Sequence, residues 1–440
     1  MKSWISRVAV VIGATVAALA GPGAAQADPV LDWFVTARNA INVGVPAVGS
    51  PGFAAPPAHA STLSFAMVQG AVYDAVNEID GGYERYLLQP AYPDRAGPLD
   101  SKDAAVAAAA YNVLKVITPS QLAMVQVKYD TAIGAIPDGL AKTRGIAAGE
   151  AAAQAMLDAR ANDGRMLLGV PYNQPLGDEA GEWRVSFPLT AVEPAWWVGD
   201  VQPFLVPDVE RLRTEGPNRL KSHAYAEDYN EVKSIGALNS TTRTADQTKA
   251  AIFWQTPPGF LWGELLDQLA TKYSLDSVDR ARLYAVVWVG MADAAIGCWN
   301  DKYYWKFWRP LDAIRNGDDD GNRQTEGDPS WLPLFDPSTP TVPALTTPNF
   351  PDHPSGHSCL TGSVVNNLEE FFGTDKIDVQ IKSTRFPGYT RDFDRLSDVA
   401  NEVVDARVWG GIHFRTADEQ GATLGKEVAR YLRKHYFRRV

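Results

Sequence analysis

The stretch Leu283–Trp299, LYAVVWVGMADAAIGCW, decides the architecture. It is shorter than the roughly 20 apolar residues a helix needs to cross a bilayer, and Asp293 lies inside it. It therefore reads as the buried core helix of a globular protein, with no stable membrane insertion. Outward from it, apolar residues keep a three- and four-residue spacing behind helix-start signals. Ser61 and Thr62 precede Leu63–Ile79, Lys102–Ile117 is alanine-rich, Thr118-Pro119 opens Ser120–Ile136, and Ala141–Ala161 carries small residues suited to close packing. The pattern resumes near Tyr225 and continues through Thr244–Trp254, Phe260–Tyr273, Val278–Trp305, 355–372 and 394–409. A terminal helix follows, ending in the basic run Arg430–Arg439. Strand-like alternation is scarce and no internal repeat is visible, so the expectation is an all-α protein of packed helical bundles.

With 45% hydrophobic and 21% charged residues, the 440-residue chain has apolar mass for a large core and too few charges for disorder. A formal charge of −11 argues against nucleic-acid binding. Two cysteines, Cys298 and Cys359, rule out a disulfide scaffold or a cysteine-rich metal site. Residues 1–27 read as a secretory signal: Lys2 and Arg7, the apolar Val8–Ala20, then Ala25-Gln26-Ala27. Cleavage near Ala27 would deliver a secreted or extracytoplasmic protein, where a disulfide is permitted but not required. The remainder divides into an N-terminal helical region, 28–220, ending in an irregular Pro- and Trp-rich segment at 165–220, and a C-terminal helical region, 221–440. A second irregular segment spans 316–354.

Three short segments of the C-terminal region concentrate the chemistry. In Asp301–Pro310, Lys302 and Arg309 stand seven apart, two helical turns, which predicts that both project from one face. In Phe350–Ser358, Pro354 ends a loop and Ser355 can start a helix. The free N–H groups there, with Gly356, favour an anion, and His357 in the first turn can exchange protons with it. In Ala406–Arg415, Gly410-Gly411 should end a helix and let Arg407 and His413 converge. Each segment alone also fits an ordinary helix end or surface pair. Together, three cations, neutral donors and two histidines point to a compact tetrahedral oxyanion such as phosphate or vanadate.

Taken in order, Lys302-x6-Arg309-Pro310, Pro354-Ser355-Gly356-His357 and Arg407-x5-His413 resemble the motifs of the vanadium haloperoxidase and type 2 phosphatidic acid phosphatase superfamily, with bacterial vanadium-dependent haloperoxidases the nearer likeness. The resemblance covers roughly Tyr225 to Val428; upstream it rests on helical character and length alone. It implies two packed four-helix-bundle-like units with the site in the second. His413 would be the vanadium ligand. Lys302, Arg309, Ser355, Gly356 and Arg407 would hold vanadate oxygens, or phosphate in the same place, and His357 would be the acid–base residue. Lys302 would further polarise bound peroxide. The implied reaction is oxidation of halide by hydrogen peroxide, through a peroxovanadate at His413, to hypohalous acid that can pass to an organic acceptor. Trp299 and Phe350 resemble the aromatic pair of the fungal chloroperoxidase and would line the halide pocket, favouring chloride or bromide.

Two departures stand out. Ala406 replaces a common serine, and the position four after His413 is Ala417, with Asp418 one residue further and swung by about 100°. The missing carboxylate counts against the alternative reading, a secreted acid phosphatase with His413 as nucleophile and His357 as general acid. A third reading is an exported oxyanion-binding protein without turnover. Asp318-Asp319-Asp320 lacks the spacing of a calcium loop and reads as a solvated turn. His353 is expected at the pocket rim or on a surface loop, no role is assigned to His59, His223 or His435, and whether Cys298 and Cys359 pair is left open.

Overall fold

In the computed structural model, which describes residues 28–43, 45–46, 53–54, 56–88, 96–186, 189–336 and 345–440, thirteen α-helices carry almost all the regular structure. The secretory pattern at 1–27 lies outside the described residues. Asp28 accepts the N–H groups of Val30 and Leu31 at 2.9 and 3.2 Å, and with Pro29 at the first position it starts α1 (Pro29–Ile41), a helix the sequence reading did not single out. Strands β1 (Val45–Pro46) and β2 (Phe53–Ala54) form a minimal antiparallel pair.

Helix α2 (Ala58–Asp80) begins one turn earlier than expected. Ser61 and Thr62 do not cap it; their hydroxyls donate back to the carbonyls of Ala58 and His59. Ser101 caps α3 (Lys102–Ile117), and Pro119 opens a 3-10 turn that leads into α4 (Leu122–Ala135). In α5 (Leu140–Ala159), a Cβ on Gly149 would fall 2.3 Å from the Ala105 carbonyl, so the missing side chain is what lets α3 and α5 approach. Helices α1 to α5 pack together as one group.

The C-terminal half continues with α6 (His223–Ile235), α7 (Ala245–Phe253) behind a Thr244/Gln247 capping box, α8 (Pro258–Lys272), α9 (Ser277–Trp305), α10 (Pro310–Arg315) and α11 (Gly356–Phe372). An unexpected hairpin, β3 (Val379–Lys382) with β4 (Thr390–Phe393), precedes α12 (Leu396–Trp409) and α13 (Arg415–His435). Helix α9 contains the opening stretch of the sequence analysis. It is long and apolar enough by composition to cross a membrane, yet nearly all of it is buried, against α2 on one side and α11 and α13 on the other. Helices α9, α11, α12 and α13 form the second group, and α9 joins the two. A Cβ on Gly425 would lie 2.2 Å from the Cys359 carbonyl, so α13 meets α11 backbone to backbone. Cys298 of α9 and Cys359 of α11 are paired, with Cα atoms 6.3 Å apart, which closes the question the sequence left open.

The segment 165–220 is irregular apart from 3-10 turns at Trp196–Asp200 and Val209–Leu212. Buried carboxylates tie it down. Asp293 accepts three consecutive backbone N–H groups, from Phe204, Leu205 and Val206, at 2.5, 2.8 and 2.8 Å. Asp301 accepts the Thr214 N–H at 3.0 Å, and on α2 Asp74 clips Tyr86, Leu87 and Leu88 in the same three-donor manner. The turn at 318–320 is more than solvated. Asp320 is buried and accepts from Asn322 and Thr325, and Asp318 accepts from Gly327.

Candidate functional site

The three chemistry-bearing segments converge, although one does so for a different reason than expected. Helix α9 stops at Trp305, so Lys302 and Arg309 do not share a continuous helical face. Lys306 takes the left-handed conformation, φ 46°, while its N–H returns to the Lys302 carbonyl. Arg309 then immediately precedes α10, whose first residue is Pro310. This break, rather than helical periodicity, turns both side chains inward, and both are fully buried.

Lys302 spends its three ammonium protons on the carbonyls of Pro351, Asp352 and Pro354, the first two at 3.0 Å. It holds the 350–354 loop and adds charge to the site. Arg309 donates from Nε to the Phe350 carbonyl at 2.8 Å and from Nη1 to the Ile412 carbonyl at 2.7 Å; Nη1 also lies 3.0 Å from His413 Nε2. Arg407, on the last turn of α12, is buried. Its Nε and Nη1, together with Arg309 Nη2, have no hydrogen-bond partner among the described residues. Gly410 and Gly411, the latter at φ 75°, end α12 after Trp409 and place His413 in the turn before α13.

Ser355 stands at the N-cap of α11, so the helix starts where expected, and its side chain makes no capping bond. A Cβ at Gly356 would meet the Trp299 ring at 2.9 Å, so only glycine lets the start of α11 close on that ring. His357 is partly buried one residue into the helix. Burial first, and then the Arg407 cation, hold its pKa well below the usual histidine range, so its ring is neutral near pH 7.

Two carboxylates complete the arrangement. Asp352 Oδ1 lies 2.8 Å from His413 Nδ1, close enough to orient the ring, while Arg309 Nη1 lies 3.0 Å from its Nε2. Asp418 accepts from Ser358 at 2.8 Å; burial pushes its pKa up to about 7 against the pull of Ser355 and Arg407. The carboxylate missing four residues after His413 is thus supplied by Asp352 from another segment, and its absence no longer argues against phosphoryl transfer. Burial lowers Arg309 to about 10 and Arg407 to about 9, and drives Lys302 well below its ordinary value. Two buried guanidinium groups with unpartnered donors, those of Arg309 and Arg407, are what a multiply charged oxyanion would relieve. Asp352→Asn leaves an acceptor near Nδ1 but replaces the carboxylate behind it with a neutral amide. It should weaken oxyanion affinity by about 10- to 100-fold, read by titrating vanadate.

Above this cradle opens a cavity of about 600 Å³, lined at its floor by Trp299, Phe350, Gly356, His357, Arg407 and His413. Lys302, Arg309 and Ser355 lie behind the lining. The Trp299 and Phe350 rings are 5.2 Å apart, with Arg309 4.7 Å and Lys302 5.1 Å from the Phe350 centroid. His59, given no role by the sequence, stacks on Trp299 at 3.6 Å with its Nε2 3.2 Å from Glu193. Helix α2 and the irregular segment supply those two residues, and no local spacing announces them. His353 is neither at the rim nor on the surface; it is buried, 2.9 Å from the Thr214 hydroxyl.

Residues 282–440 match the family described as the VCPO second helical-bundle domain. A vanadium chloroperoxidase of Curvularia inaequalis is 36% identical over 198 residues, 38% of this chain and 32% of that protein, so the match spans about a third of the relative. Among solved structures, the first bacterial vanadium-dependent iodoperoxidase aligns with a TM-score of 0.73 at 20% identity, over 93% of this chain and 95% of its own. A holo-type bacterial vanadium-dependent chloroperoxidase aligns at 0.66 and 17%, over 86% and 91%. The resemblance read from the three motifs is borne out, and the likeness of fold extends through the N-terminal half, where the sequence offered only helical character and length.

Proposed function

We propose that this chain, whose residues 282–440 match the second helical-bundle domain of vanadium chloroperoxidases, is a vanadium-dependent haloperoxidase. The observation that carries the reading is the set of buried, unpartnered guanidinium donors on Arg309 Nη2 and on Arg407 Nε and Nη1, beside His413, whose Nε2 meets only Arg309 Nη1 at 3.0 Å among the described residues. They fit vanadate: Arg309, Arg407, Ser355 and the Gly356 amide would hold its oxygens and His413 Nε2 would be its ligand. Bound vanadate would supply a Lewis-acidic centre that activates hydrogen peroxide toward halide without itself changing oxidation state.

The protein's part is to hold and to move protons. Asp352, 2.8 Å from His413 Nδ1, would orient the ring. His357, neutral through burial, accepts a proton from incoming peroxide and returns it to the departing oxygen. Lys302 fixes the loop that carries Asp352, and its charge adds to the attraction for the anion. Trp299 and Phe350 screen the site from bulk water. Hydrogen peroxide, halide and an organic acceptor are the reactants. Export directed by residues 1–27 accords with the Cys298–Cys359 pair, which suits an oxidising compartment.

The test is to load the purified protein with orthovanadate in phosphate-free buffer, add peroxide with chloride, bromide or iodide, and follow halogenation of an acceptor dye. Aryl-phosphate hydrolysis is measured in parallel. Vanadate-dependent halogenation is the expected result. Hydrolysis inhibited by vanadate, with no halogenation, would replace this reading with the phosphatase.

A further inference from the structure

Peroxide and halide ions are each about the size of a water molecule, whose share of liquid is about 30 Å³. The cavity above the cradle holds about 600 Å³, within the range of pockets that enclose an organic ligand. Its walls are mostly apolar and aromatic, with Leu261, Trp262 and Leu360 beside the rings of His59, Trp299 and Phe350. One buried carboxylate organises the ring wall. Glu193 Oε1 accepts the Trp299 indole N–H at 2.9 Å and lies 3.2 Å from His59 Nε2, while Oε2 accepts the Ala195 N–H at 2.8 Å. The His59 and Trp299 rings are thereby held stacked, 17° from parallel, with Phe350 5.2 Å from Trp299. None of these wall residues holds the oxyanion, and six separate parts of the chain are brought together to build them.

The geometry points to a second binding site: the cavity takes a one- or two-ring, electron-rich aromatic acceptor and presents it to the cradle, so that halogenation occurs on a bound ring. This deepens the haloperoxidase reading and rests on it. In the step, a ring carbon attacks the halogen of hypohalous acid, forming C–X as the O–X bond breaks toward oxygen. The hydroxide released takes the ring proton and leaves as water.

The experiment uses 1-naphthol and has one arm that needs no turnover. With vanadate-free protein, calorimetry should show saturable one-to-one binding. Leu261→Trp, which fills the cavity, should weaken it at least tenfold. Leu189→Trp, at the partly exposed rim, should weaken it too and is the variant to use if the first does not fold. In turnover with bromide, the ratio of brominated isomers should differ from that given by reagent hypobromous acid. Absence of saturable binding, binding unaffected by both tryptophan variants, or an isomer ratio equal to that of the free reagent overturns the proposal. Saturable binding without any halogenation overturns the haloperoxidase reading and the bound-ring step together, leaving an aromatic-binding pocket.

Discussion

Arg407→Leu is expected to lower vanadate-dependent halogenation by about 10²- to 10³-fold, the loss seen when one donor aimed at developing negative charge is removed. The thermal midpoint should stay level or rise. Both expectations have one cause. Arg407 is buried, its Nε and Nη1 lack partners among the described residues, and burial already lowers its pKa to about 9. Most of its interaction capacity is therefore unused until an oxyanion arrives. Replacing an incompletely paired buried charge by an apolar side chain is often neutral or stabilising. Asp418, partly neutral with a pKa near 7 and still bonded to Ser358, tolerates the loss of the neighbouring cation. Activity assays beside a melting curve decide the matter. A large fall in stability would show that Arg407 supports the fold, and unchanged activity would remove it from the cradle.

The second large effect is structural. Asp293→Ala removes the acceptor for three consecutive backbone N–H groups, those of Phe204, Leu205 and Val206, in a region where all three residues are buried. An unsatisfied buried donor costs about 1–3 kcal/mol, and three of them consume much of a stability of about 5–15 kcal/mol. The expected outcome is loss of soluble protein, or a melting point lower by tens of degrees. Asp293→Asn should be nearly as harmful, since its amide offers one acceptor oxygen and turns two donors toward donors. A shift of only a few degrees in either variant would mean that water can replace the carboxylate at this position.

Legibility followed distance along the chain. The three cradle segments were readable because each is short and its residue types carry meaning locally: cations near a helix end, glycine and histidine at a helix start, a glycine break before a histidine. The convergence of Lys302 and Arg309 was anticipated on the wrong ground, because periodicity alone does not reveal that Lys306 breaks the helix. What stayed hidden were pairings between distant residues: His59 with Trp299, Asp352 with His413, Asp293 with Phe204. The β3–β4 hairpin escaped because only Val379 and Ile381 are buried in its strands, too short an alternation to stand out. Helix α1 did announce itself, through Asp28-Pro29, but beside the secretory pattern that start signal was passed over.

The cradle and the chamber over it have different provenance in the chain. Every oxyanion-facing side chain lies between Lys302 and His413, while the chamber borrows His59 from α2 and Glu193 from the segment after α5. On the proposed reading, substitutions at His59 or Glu193 would alter the chamber without touching the cradle. The family match covers 282–440, inside a likeness of fold spanning 93% of the chain. Mutational libraries that probe the proposed chamber belong upstream of α9, where His59, Glu193, Leu261 and Trp262 line it away from the cradle.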